Sequence, residues 1–233
     1  MSLLSSAVTD TAPRWTRQFI YRTERTVTTW KLRLALMAFT AATVWLTHGW
    51  WAAAIGRSLV CEPSLAAGEA IVIENFGTQY LLFERARDLR RAGLAHRVLI
   101  PTPVDLRTSR LNEVSKGFTE VMARISHLGN YELIPTREVE PISLNVARDV
   151  LRYLQRERIK SILVVSPLFR SNRSARIYSA TLGQAGISVH CVPARQVYDL
   201  DTWVRTWHGI QEVAEQWLKL QYYRVAILPV SGR

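Results

Sequence analysis

The stretch from Val164 to Ala180, VVSPLFRSNRSARIYSA, begins as a buried strand and within a few positions carries Arg170, Arg173 and Arg176. A helix starting there presents unpaired N–H groups and about half a positive charge, so it attracts anions. Guanidinium groups at the positive end of that dipole cost some tenths of a kcal/mol, roughly 0.3–1. A bound phosphate or carboxylate reverses the cost. Arg170 and Arg173 are therefore candidate clamps for an anion, with Ser166, Ser171 and Asn172 as neutral donors beside them. The competing reading has all three arginines solvated and paired with acidic neighbours across the surface.

Two further segments belong with this one if all three end strands of one sheet. ENFGT, residues 74–78, offers Glu74 as a carboxylate for acid–base work and Gly77 and Thr78 for close backbone approach to a ligand. PTPVDLRTSR, residues 101–110, offers Arg107, with Asp105 as its expected salt-bridge partner. The histidines at 96, 127 and 190 share no spacing and read as surface or internally satisfied residues.

The elements that must position these groups follow from the apolar pattern. AIVIENF, RVLIP, YELIP, SILVVS and ISVHCVP are short apolar runs. Amphipathic segments of ten or more residues separate them, several closed by a glycine such as Gly93 or Gly129. Unbroken apolar strands alternating with helices predict an α/β, Rossmann-like parallel sheet with helices on both faces. In such sheets ligands bind beyond the carboxyl ends of the strands. Pro135 marks YELIP as an edge strand. Ser143 is the expected N-cap of the helix that opens SLNVARDVLRYL, and a long closing helix is expected over TWVRTWHGIQEVAEQWLKLQYYRV.

Thirty Lys and Arg against 19 Asp and Glu give a net charge of +11, which suits contact with something anionic. Basic runs interleaved with exposed aromatics, as in nucleic-acid grooves, are not evident, so no nucleic acid is expected as partner. Residues 34–55 carry no charge and as a helix would extend about 33 Å, the thickness of a hydrocarbon core. They are the expected transmembrane helix. Arg14, Arg17, Arg22, Arg25, Lys31 and Arg33 precede them against only Asp10 and Glu24, which keeps residues 1–33 cytoplasmic. A linker, 56–68, then leads to an external domain over 69–233; the competing reading is a cleaved signal peptide ending near the alanines at 52–54. Cys61 and Cys191 have no metal-site spacing and are expected to be unpaired.

FTEVMARISHLGNYELI, EVEPISLNVARDVLRYL, LVVSPLFRSNRSARIY and WVRTWHGIQEVAEQWLKLQYY, in that order, resemble four segments of the SanA/ElyC/YdcF-like family of domains of unknown function. The resemblance spans about residues 69–224 and implies one membrane helix followed by a Rossmann-like domain. It implies a role in peptidoglycan or polysaccharide assembly of the cell envelope; the basic strand-end segment beside a bilayer points to a phosphorylated envelope compound, such as a lipid-linked phosphate, as ligand, with the bilayer and envelope-assembly membrane proteins as partners. By position it keeps Ser166, Arg173, Glu120 and Ser143, with Glu74 or Glu120 as base. The chain departs where the family has Glu-Asn, here Asn145 and Val146, where it has a histidine, here Phe169 or Arg170, and where it has a glycine-rich turn, here only Gly77. Those losses equally suit a catalytically degenerate scaffold. A nucleotide- or methyl-donor-dependent transferase, which soluble relatives suggest, is the third reading; no cofactor is assigned.

Overall fold

A computed structural model describes residues 29–76, 79–105 and 107–231. Five strands, β1 (Ala70–Ile73), β2 (Arg97–Pro103), β3 (Glu132–Thr136), β4 (Ser161–Pro167) and β5 (Ser188–Ala194), form one sheet in the order β3-β2-β1-β4-β5. Every pairing is parallel. The helices are α1 (Trp30–Leu59), α2 (Tyr80–Arg91), α3 (Glu113–Ile125), α4 (Ile142–Arg156), α5 (Ser171–Leu182) and α6 (Trp207–Tyr222).

The expected α/β architecture follows from alternation along the strands. Ala70 and Val72 of β1 pack into one core with Val150 and Leu154 of α4 and Ile177 and Tyr178 of α5. Ile71 and Ile73 point to the opposite core, with Phe83 and Leu89 of α2 and Ala123 of α3. A strand buried on both faces has no polar side to show, hence the unbroken apolar run. β3 lies at the sheet edge, as Pro135 requires, although the strand continues one residue past it to Thr136. Sequence order reverses between β1 and β4, so their carboxyl ends make a switch point, the place where open α/β sheets hold ligands.

The N-terminal helix differs from expectation. The 34–55 segment lies within α1, which has the length expected, but Thr40, Thr43, Thr47, His48 and Gly49 dilute its apolarity. Among the described residues no helix is long and apolar enough to cross a membrane. The three threonine hydroxyls donate back to the carbonyls of Leu36, Phe39 and Thr43, four residues earlier, so the helix satisfies them internally. Residues 29–51 are exposed throughout, large apolar side chains included.

Residues from His48 onward form one compact unit with the sheet domain, and Met1–Thr47 belong to another. The domain thus starts well before the expected boundary at residue 69. Ala52 and Leu59 of α1 pack with Phe169, Trp203, Val213 and Leu220 in a third apolar cluster. Only 60–68 of the expected linker is without regular structure. Residues 1–28, which hold most of the basic leader, lie outside the described residues.

Cys61 and Cys191 are joined by a disulfide, against the expectation that they stay unpaired. Their separation of 130 residues hid the pairing from any spacing rule. The bond fastens the chain just after α1 to β5. The closing helix also starts later than expected. Trp203–Arg205 form a separate 3₁₀ turn, Thr206 is extended, and its hydroxyl accepts from the Gly209 N–H to cap α6. A Cβ on Gly209 would stand 2.3 Å from the Trp203 carbonyl oxygen, so only glycine allows the turn to fold back this tightly.

Candidate functional site at the sheet switch point

Glu74 follows β1 directly and is 1% exposed. A carboxylate so deeply buried needs partners, since an unpaired one costs several kcal/mol. It has two. Arg170 donates from Nη2 to Oε1 at 3.4 Å and brings Nε to 3.4 Å from Oε2 without a hydrogen bond, and the Ser174 hydroxyl donates to Oε2. Arg170 reaches Glu74 because β4 ends in a single 3₁₀ turn, Leu168–Arg170, before α5 begins. Its guanidinium lies 4.2 Å over the Phe76 ring and also donates to the Ser143 hydroxyl at 3.3 Å.

Arg173 sits one turn further on and is 6% exposed. Its Nη2 donates to Gln216 Oε1 at 2.9 Å, its guanidinium lies 5.6 Å from the Tyr223 ring centre, and its Nε has no hydrogen-bond partner. Burial, reinforced by the neighbouring positive charge of Arg170, pushes its pKa down to about 10. It remains charged at neutral pH, and no carboxylate lies within ion-pair distance of it among the described residues. Tyr178 is fully buried below the pair with its hydroxyl unpartnered, and burial, then the nearby Glu74, raises its pKa well above the ordinary value.

The two guanidiniums open into a cleft of about 390 Å³. Phe76, Ile142, Tyr222 and Tyr223 give it aromatic and apolar walls. Glu140 and Lys219 stand at the exposed rim, and Lys219 is paired with Glu215 one helical turn back. Such a cleft holds an anionic group against two stacked guanidiniums and a flat or apolar body against the rings. Glu74 reaches it only through Arg170.

Of the sequence-derived candidates, the structure brings Glu74, Ser143, Arg170 and Arg173 together. Ser143 is in the first turn of α4 rather than capping it; Pro141 holds the N-cap position, and the buried hydroxyl is an acceptor for Arg170. Ser166 is buried at the end of β4, its hydroxyl without a partner. Ser171 and Asn172 turn away from the cleft: the Ser171 hydroxyl accepts from the Cys61 N–H, and the Asn172 amide donates to the Ser58 carbonyl. They hold the end of α1. Arg176 is exposed and donates to Asn172.

Glu120 is exposed on α3 beside a different depression, with Arg124 and His127. Arg107 is exposed, and the Asp105 carboxylate accepts the backbone N–H groups of Arg107 and Thr108, closing a turn. Asn145 donates to the Val139 carbonyl in a groove shared with Arg137 and Arg148. Gly77 and Thr78 lie outside the described residues. Sequence reasoning missed Gln216, Tyr223, Phe76 and Glu140; only the aromatic density near Tyr222 and Tyr223 signalled any of them.

Among the described residues no cluster of His, Cys, Asp and Glu is arranged to hold a metal ion. No family model, no curated protein and no solved structure matches this chain.

Proposed function

We propose that the protein binds a phosphorylated or otherwise anionic compound in the switch-point cleft, and that its domain works outside the cytoplasm, attached to a membrane through α1. The single observation that carries this reading is Arg173. A charge that is nine-tenths buried without a carboxylate is a standing cost to the fold, and an anionic ligand supplies the missing partner. Arg173 and Arg170 clamp the anion, Ser143 holds Arg170 in position, and Glu74 serves as base only if Arg170 is drawn off it.

The Cys61–Cys191 disulfide supports an oxidising compartment. α1 supports attachment to lipid, because its many exposed tryptophan and aliphatic side chains are costly to leave in water and favourable against hydrocarbon. A role in cell-envelope assembly is what the resemblance to SanA/ElyC/YdcF-like domains implies, and a lipid-linked phosphate as ligand is what a basic cleft beside a bilayer suits. The test is binding of a polyprenyl phosphate to the full chain in detergent. Binding to the wild type that is lost in Arg173→Ala is expected; absent binding, or equal binding by both, removes the idea.

A second reading, an assembly subunit without a ligand, draws on a different surface. The end of α1 and one face of α6 enclose an apolar groove of about 530 Å³ lined by Trp51, Ile55, Ile210, Trp217 and Leu218. Trp203 is buried at its base, whereas Trp207 is 72% exposed. Under this reading Trp207→Ala with Trp217→Ala abolishes co-purification of a membrane partner while Arg173→Ala leaves it intact.

A further inference from the structure

We infer that the ligand of the arginine cleft presents one anionic group of about a single net charge on an aromatic or apolar body, and that pyrophosphates and nucleoside polyphosphates are excluded. The inference rests on the reading of the cleft as an anion site and narrows it.

Charge compensation carries the argument. Arg170 already has a carboxylate partner, and that partner cannot leave. Glu74 is 1% exposed, held by Ser174 as well as Arg170, and expelling Arg170 would strand it unpaired in the interior. Lys219 is likewise matched by Glu215. Arg173 alone has no carboxylate within ion-pair distance among the described residues; Glu74 and Glu215 act on it only from farther away. The exposed Glu140 carboxylate lines the same cleft, where it repels a second negative group extending outward. With the exposed rim carboxylate of Glu140 set aside, the cations of the cleft exceed their carboxylate partners by one, so one anionic group neutralises its buried part. A second or third finds no cation and meets Glu140.

The walls say what the anion is attached to. Phe76 and Tyr223 are each covered on one side by a guanidinium, and Ile142 and Tyr222 complete an apolar surround. Few uncharged donors line the cleft to dissolve a hydroxyl-rich body, so its contacts suit ring or hydrocarbon surface.

Calorimetric titration of the full chain in detergent tests this with three probes: methyl phenyl phosphate, a monoanion with a ring; inorganic pyrophosphate; and ATP. The monoanion is expected to bind at least about tenfold tighter than either polyanion, and Arg173→Gln to weaken it about tenfold or more. Glu140→Gln, an exposed change that spares the fold, is expected to narrow the gap by raising polyanion affinity several-fold. If no probe binds, the anion-cleft reading falls and this inference with it. If pyrophosphate or ATP binds as tightly as the monoanion, or Glu140→Gln leaves the ratio unchanged, the cleft reading stands and the single-charge inference is overturned. Monoanion binding indifferent to Arg173→Gln places the site elsewhere and overturns both.

Discussion

On one side of α6 two guanidiniums and a carboxylate are buried together; on the other side the groove against α1 is walled by tryptophan and aliphatic side chains. The helix itself explains the separation. Ile210, Val213, Ala214 and Trp217 fall on one stripe, whereas Gln216, Lys219 and Tyr223 fall on average about 140° around the axis at about 100° per residue. A molecule with its charged end at Arg173 therefore does not lay its tail in the apolar groove without wrapping around α6. The two surfaces serve different neighbours, and burial has opposite consequences in each. In the groove, removing apolar surface from water is favourable by itself; in the cleft, stability waits on every charge finding its partner.

The sharpest way to break this contrast is to remove the carboxylate. Glu74→Leu leaves Arg170 and Arg173 buried together without a counter-charge, and the expected loss is about 3–5 kcal/mol in denaturant unfolding. A loss below about 1 kcal/mol would mean that Arg170 swings out to water and that the pair does not organise the cleft. The disulfide comes next. Replacing Cys61 and Cys191 by serine frees a loop of more than a hundred residues in the unfolded chain, and about 2–4 kcal/mol should disappear. Free-thiol titration of the native protein should find neither cysteine reactive.

Arg173 predicts a change of the opposite sign. Its folded-state pKa of about 10 lies below the ordinary arginine value, so the unfolded chain holds this proton more tightly. The charge thus destabilises the fold throughout the range below about pH 10, and the penalty lifts only as pH rises above it. At neutral pH Arg173→Met should therefore raise stability, by about 1–3 kcal/mol, while abolishing anion binding. A binding residue whose removal stabilises the empty protein separates function from folding. A destabilised variant would show instead that the bond to Gln216 and the stacking on Tyr223 make Arg173 structural.

How much of this was legible in the chain depends on the range over which each signal acts. The sheet was legible because a strand buried on both faces must be apolar along its whole length, and AIVI and SILVV can satisfy nothing else. The edge position of β3 followed from Pro135. Glu74 and the arginines were legible as groups at strand ends, but their pairing was not, because it depends on helical phase. One 3₁₀ turn over Leu168–Arg170 turns Arg170 and Arg173 toward the sheet and Ser171 and Asn172 toward α1; the sequence alone assigned all four to the ligand. The Cys61–Cys191 bond and the Arg173–Gln216 contact join residues 130 and 43 positions apart, and no local pattern encodes either. α1 shows the converse: the lack of charge over 34–55 was plain, but the domain recruits the last turns of the helix through Ala52, Gly56 and Leu59, and small residues among alanines do not announce packing.

The smallest expected effect isolates what geometry adds to motif. Arg107, in the turn after β2, and Glu120, in the middle of α3, were candidates in sequence alongside Glu74 and Arg170. In the fold Glu120 and Arg107 face solvent, where a charge keeps its hydration and gains little from any neighbour. Glu120→Gln and Arg107→Ala should each shift stability by less than about 0.5 kcal/mol and leave monoanion affinity unchanged, whereas the changes at Glu74 and Arg173 move both. Calorimetric titration alongside unfolding decides it. An affinity loss at Glu120 or Arg107 comparable to that at Arg173 would move the ligand toward the β2 and α3 side of the sheet, and the buried pair under Arg170 would then be scaffold rather than site.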